Sequence, residues 1–178
     1  RLFPRRVTAA PARSAHRPNP DAYRLYVLGQ GRLTRRGLSV NEAAESFRQA
    51  IAQDSLFALA YSGLSMALSL MPWFHHTPSP EVHDDVVVAA RHALRLDSTL
   101  ALPHVALGMV AMQAYDWVSA SAELATAVRL EPNNIEARVQ YARLLRVSNR
   151  YAEALAQLRA AKSVDPASAL VLSHLAWT

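Results

Sequence analysis

Residues 120–132 read ASAELATAVRLEP, and residues 154–166 read ALAQLRAAKSVDP. Laid over one another, they align Ala120 with Ala154, Leu124 with Leu158, Ala127 with Ala161, Leu130 with Val164, Glu131 with Asp165 and Pro132 with Pro166, an offset of 34 residues. A fixed period of this length is the mark of stacked helical hairpins, each burying its apolar face only against its neighbours. Such an array is a scaffold with a groove, so its function depends on the surface the groove presents.

Outward from this pair, the helix ends Asp54-Ser55, Asp97-Ser98, Glu131-Pro132 and Asp165-Pro166 are separated by 43, 34 and 34 residues. The larger spacing exposes a nine-residue insertion in the second hairpin, and the run from Pro72 to Pro80 predicts a loop there, with Ser79-Pro80 opening the next helix. Further upstream, Asn19 is the expected N-cap of a first helix that has Pro20 at its first position and runs to about Leu33. Gly37 breaks the chain, and Ser39 with Glu42 reads as a capping box for a second helix with Ala43, Phe47, Ala50 and Ile51 on one face.

Charge divides the chain unevenly. Residues 1–36 hold nine arginines and one acid, a net +8, whereas residues 37–178 hold ten basic and thirteen acidic residues, a net −3. Residues 1–19, with Pro4, Pro11, Pro18 and five arginines, read as an extended or disordered basic tether. A solvated linker is the plain reading. Arg1, Arg5 and Arg6 are the residues that would meet an anionic membrane surface or anionic partner. Because the repeat body is mildly acidic, nucleic-acid binding by it is not expected. The absence of cysteine excludes disulfides and thiolate chemistry but assigns no compartment. A cytoplasmic location is the expectation, with membrane association as the alternative.

The small residues at helix contacts make the chain resemble tetratricopeptide repeats. Gly108, Ala120, Ala127 and Pro132 match their pattern in the third repeat, and Ala142, Ala154, Ala161 and Pro166 in the fourth. Gly29, Ala43 and Ala50 fit the first after a two-residue insertion, and Ala93 fits the second, where Ser65 and Val86 depart. His104 and Arg138 stand where such repeats usually carry a large apolar residue. The resemblance implies an all-α, right-handed solenoid of about four and a half hairpins. The expected repeats are 20–55, 56–98 with an insertion at 71–80, 99–132 and 133–166, followed by a truncated helix at 167–178. The apolar residues Leu170, Leu172, Leu175 and Trp177 predict that another copy, a partner or a further element caps that end.

A narrower resemblance rests on residues 19–26 (NPDAYRLY), the Trp/Pro loop of the second repeat and Tyr115-Asp116-Trp117. These are similar to the repeat region of multidomain bacterial signalling proteins, where it follows a winged-helix, adenylate-cyclase or serine/threonine-kinase domain. What that implies is a regulatory or sensory interaction module.

On this register the first helix of each hairpin lines the concave groove with Leu59, Ser62, Met66 and Ser69, then Leu102, Val105, Met109 and Met112, then Glu136, Val139, Arg143 and Arg146. Residues 55–80 and 98–115 contain no Asp, Glu, Lys or Arg. A helix that is apolar all round is buried on every side or lies in a membrane. Residues 56–74 approach the length of a span, but Ser62, Gly63, Ser65, Ser69, Pro72 and the unbroken repeat register argue against one, which leaves a groove covered by something else. The expectation is an oily inner wall around Met66 and Met109 that takes an apolar or amphipathic protein segment. At one end Arg143 and Arg146 either hold an acid of that segment or, the more frequent outcome for a charged stripe, pair on the helix surface with Glu136 or Glu153. The alternative is that these methionines are core. Trp73 and Phe74 are candidate loop anchors, although aromatics beside an insertion more often fold down to fill the space it leaves, which is the expectation here. The Lys and Asn set with which some such repeats clamp a C-terminal carboxylate is missing.

Catalytic patterns fail on inspection. Gly29-Gln30-Gly31 does not continue as a dinucleotide fingerprint, and Gly63-Leu64-Ser65-Met66-Ala67 lies within a helical register rather than on a strand-to-helix turn. His75, His76 and His83 lack ligand spacing, so neither metal nor cofactor is expected. The sequence therefore predicts a protein–protein interaction scaffold that is not an enzyme; the alternative is a structural subunit or assembly factor of a membrane-associated complex that uses the Arg-rich N-terminal tether at the membrane surface.

Overall fold

A computed structural model describes residues 16–74 and 79–177. Among the described residues there are nine helices and no strand: α1 (Pro20–Arg35), α2 (Ser39–Gln53), α3 (Ala58–Phe74), α4 (Ser79–Leu96), α5 (Ala101–Gln113), α6 (Trp117–Leu130), α7 (Ile135–Val147), α8 (Tyr151–Val164) and α9 (Ala169–Ala176). They pair as α1/α2, α3/α4, α5/α6 and α7/α8, with α9 packed against α7 and α8.

The contacts between hairpins show which side is inside. First helices touch in sequence, α1 with α3, α3 with α5, α5 with α7 and α7 with α9, whereas no second helix touches another second helix among the described residues. The odd-numbered helices therefore form the inner wall of a curved array and the even-numbered ones fan out behind it. In this arrangement α3 meets α1, α2, α4 and α5, and α5 meets α3, α4, α6 and α7. Neighbours on every side would strand a charge without water, which is why these two helices have none.

Small side chains set the seams. Ala43, Ala50, Ala120, Ala127, Ala154 and Ala161 are fully buried, and Gly108 sits against Leu124. The residues that depart from the apolar pattern are satisfied by one recurring device. His104 Nδ1 bonds Glu123 Oε2 at 2.6 Å, and one repeat later Arg138 Nη1 donates to Gln157 Oε1 at 2.7 Å, each pair spanning the two helices of its hairpin. The hairpin exits repeat as well. The Oδ1 atoms of Asp54, Asp97 and Asp165 accept from the backbone N–H of Leu56, Thr99 and Ala167 at 3.1, 3.0 and 3.0 Å, an Asx turn that stops each helix.

Local expectations fare unevenly. Asn19 caps α1 by accepting from the Asp21 N–H at 2.8 Å, with Pro20 in the first turn, as expected. Ser39 does not cap α2: it is already helical, no side-chain cap forms, and Glu42 instead reaches Arg32 at 3.3 Å. The expected loop at 71–80 is shorter, because α3 continues through Pro72 to Phe74. Pro72 has no N–H for the Leu68 carbonyl and crowds it, and the helix runs only two residues beyond. Residues 16–19 are also less free than a tether. His16 Nε2 lies 2.8 Å from Asp54 Oδ2, and the Asn19 N–H donates to the same oxygen at 2.9 Å.

Candidate functional site

The midline of the inner wall is core. Met66 and Met109 are each 2% exposed and Val105 fully buried, all within one cluster of the chain's own residues. Ser69 Oγ lies 3.6 Å from Met109 Sδ across the α3–α5 seam, and donates to Met66 O at 2.8 Å. The expectation of an open methionine wall is therefore corrected: α3 and α5 pack directly on each other and close over these side chains. Ser65 is likewise internal, its hydroxyl donating to Ser62 O at 2.8 Å. Leu59 is exposed, Leu102 is half-buried against the core, and Met112 is buried but reaches the floor of a pocket described below.

The other end of the wall is polar and open. Arg143 and Arg146 project from consecutive turns of α7. The Arg143 guanidinium carbon lies 4.0 Å from the centre of the Trp73 ring, so the structure joins two features that the sequence proposed separately. Burial first, and then the neighbouring Arg146 charge, pulls the Arg143 guanidinium below its ordinary value. A guanidinium nevertheless stays charged in proteins, so Arg143 brings a partly desolvated cation to the wall. Among the described residues it makes no hydrogen bond or ion pair. Arg146 Nη1 donates to Trp177 O at 3.4 Å. Glu136, an acid of the same helix, is taken by Arg36 and by Gln140 Nε2, which donates to Glu136 Oε1 at 2.9 Å. His174 joins this group: burial, then Arg146 and Arg143, push its pKa down.

Aromatic residues extend the site to the edge that carries the hairpin turns. Trp73 is 52% exposed at the end of α3, and Tyr115 and Trp117 meet edge-on at 5.7 Å in the turn from α5 to α6. Phe74 folds partly onto the core instead, leaving Trp73 as the outward anchor. The signal for Tyr115 and Trp117 is present in the Tyr115-Asp116-Trp117 run but serves there only as a resemblance. Arg150, a turn beyond Arg146, pairs with Glu153 at 2.6 Å and so stands apart.

Arg1, Arg5, Arg6, His75 and His76 lie outside the described residues. Among the described residues no cluster suits a metal ion, and no helix is long and apolar enough to cross a membrane.

Comparison with known proteins bears on the fold. The family model for the tetratricopeptide repeat matches residues 111–177. The crystal structure of TTC0263, a thermophilic TPR protein of Thermus thermophilus, is 24% identical, covering 88% of this chain and 81% of its own with a TM-score of 0.71. The fold is that of a tetratricopeptide-repeat solenoid. MamA is 18% identical, with 82% and 74% covered and a TM-score of 0.54. YrrB, described as a TPR protein with an unusual peptide-binding site, is 23% identical, with 88% and 77% covered and a TM-score of 0.50. Among curated proteins, none matches the chain. Within the TPR solenoid the Arg143–Trp73 pair bridges the inner wall of the fourth hairpin and the insertion-bearing end of the second.

Proposed function

We propose that this chain is a non-catalytic interaction scaffold, the regulatory or sensory TPR region of a bacterial protein, and that it holds an apolar or amphipathic segment of a protein partner. The contact surface is the end of the inner wall around Trp73, Arg143 and Arg146 rather than the midline methionines. One observation carries the reading: Arg143 is partly desolvated, stacked on a half-exposed tryptophan and, among the described residues, has no acid of its own. Desolvating a charge without neutralising it costs stability, and an outside partner that supplies the acid recovers that cost. Tryptophan, tyrosine and arginine are also the residues in which binding energy concentrates at interfaces. The regulatory role rests on the resemblance of residues 19–26 and of Tyr115-Asp116-Trp117 to signalling proteins.

The test is selection of a phage-displayed random peptide library on the immobilised, folded chain, with Trp73→Ala and Arg143→Glu as counter-targets. The expected result is enriched peptides that mix apolar and acidic residues and lose binding to both variants. Enrichment no greater than on an unrelated helical protein would end the reading.

A further inference from the structure

A pocket of about 370 Å³ opens at the turn edge, walled by Trp73, Tyr115 and Trp117, floored by Met112, and flanked by Val147 and Arg143. That volume lies at the small end of the ~300–1,000 Å³ span of ligand sites, which suits one large side chain better than a whole helix. We propose that this pocket receives one aromatic or large aliphatic side chain of a partner peptide, and that Arg143 holds the carboxylate of an Asp or Glu next to it. This rests on the scaffold reading above and adds which residue pair is recognised and where.

Three observations converge. The walls are rings exposed by half or more at Trp73 and Tyr115, and an apolar guest laid on their faces removes a large apolar area from water. Arg143 stacks against one of these walls, and a stacked guanidinium keeps its N–H groups at the rim, where they match the two oxygens of a carboxylate. None of those donors is used among the described residues. Finally, Tyr115 holds a left-handed backbone, φ 60°, where the equivalent residue one repeat later is Asn149 at φ 59°. Asparagine tolerates that conformation and tyrosine does not, yet the ring that incurs the strain is 77% exposed and adds little to the core. Strain kept for an outward ring suits a ring with a ligand to meet.

The chain has three tryptophans, two in this pocket, and Trp177 supplies an internal control. The experiment titrates the ¹⁵N-labelled chain with capped hexapeptides Gly-Gly-Phe-Glu-Gly-Gly, the same with Gln for Glu, and the same with Ala for Phe, following the indole N–H signals. With the Phe-Glu peptide, the Trp73 and Trp117 signals shift while that of Trp177 stays. The Gln and Ala peptides bind about tenfold or more weakly, as expected for losing a charge-assisted hydrogen bond or an apolar anchor. In Arg143→Gln the Glu and Gln peptides bind alike. Tyr115→Asn, which relieves the backbone, stays folded and still weakens the Phe-Glu peptide severalfold. Equal binding of the Glu and Gln peptides to the natural chain, movement at Trp177 instead, or no movement at millimolar peptide overturns the assignment. Peptides enriched by panning that leave Trp73 and Trp117 unmoved would refute the pocket and spare the scaffold; failure of panning itself would refute the scaffold.

Discussion

Arg36, just past the end of the first helix, forms an ion pair with Glu136 at the start of the seventh, one hundred residues later, with side chains only 25% and 14% exposed. The pair joins hairpin one to hairpin four across the inside of the curve, skipping two repeats. In a solenoid, stability otherwise passes only between adjacent repeats, so this clasp couples units that a nearest-neighbour account treats as independent. Pairs this shielded lie between exposed ones, near 0–1 kcal/mol, and fully buried ones, near 3–5 kcal/mol on removal of one partner. Arg36→Ala is expected to cost about 1–2 kcal/mol and to broaden the unfolding transition. Urea titration checks this, and in a double-mutant cycle with Glu136→Gln the second substitution should add little once the first is made.

Phe47 supplies a sharper test of packing, because two glycines from different helices press on its ring. A Cβ at Gly29 or Gly63 would fall 2.7 or 2.5 Å from Phe47 Cε1, and the ring is fully buried with Tyr26 5.9 Å away. Gly29→Ala and Gly63→Ala are each expected to destabilise by about 1–3 kcal/mol, outweighing the helix propensity they gain. Gly31, two residues along the same helix as Gly29, has nothing within 4 Å of its would-be Cβ. Gly31→Ala should stabilise by about 0.5–1 kcal/mol. Thermal melts should therefore fall for the first two variants and rise for the third.

The segment leading into the array is held by a carboxylate whose charge sets the pH at which it lets go. Burial works to raise the Asp54 pKa, but hydrogen bonds from the Asn19 N–H, His16 and the Leu56 N–H together outweigh it, and the carboxyl sits below its ordinary value. A group with a depressed folded pKa contributes stability that is present above its unfolded pKa and lost as pH falls through the folded one. Acidification below the ordinary aspartate range should thus release residues 16–19 from the end of α2. The protection of the Asn19 and Tyr23 amides against exchange, taken relative to the intrinsic rate at each pH, should fall there, and Asp54→Asn should reproduce that loss of protection at neutral pH.

The fold is legible in the sequence because its determinants are local and repeated: Ala127 and Ala161 hold the same buried position in successive hairpins, and Asp54, Asp97 and Asp165 end their helices by the same turn. The site is half legible. Arg143, Arg146 and Trp73 stand out as residues, but their meeting depends on α3 running on through Pro72, which a proline-rich stretch disguises as loop. The methionines fall on the wrong surface because a charge-free helix looks the same in sequence whether strangers or its own neighbours cover it. Met66 and Met109 lie where α3 and α5 touch, a contact between residues about 40 apart that no local pattern reports. Met109→Glu accordingly buries an unpaired carboxylate. The expected result is loss of several kcal/mol and of helical circular dichroism at mild denaturant, not a folded chain that merely fails to bind.

Tyr115 separates stability from recognition. Its left-handed backbone at φ 60° strains a bulky residue, whereas Asn149 fills the matching turn at φ 59° with a side chain suited to it. The Tyr115 ring packs edge-on against Trp117 at 5.7 Å, but both rings remain accessible, so their contact returns only part of the strain. Tyr115→Asn should therefore raise the stability of the third hairpin by about 0.5–1 kcal/mol, since a substitution that suits the native backbone removes a cost of that order. Differential scanning calorimetry reads the rise. The same variant should lose affinity for any partner seated against Trp73 and Trp117, the exchange of stability for recognition expected where a strained residue serves a site.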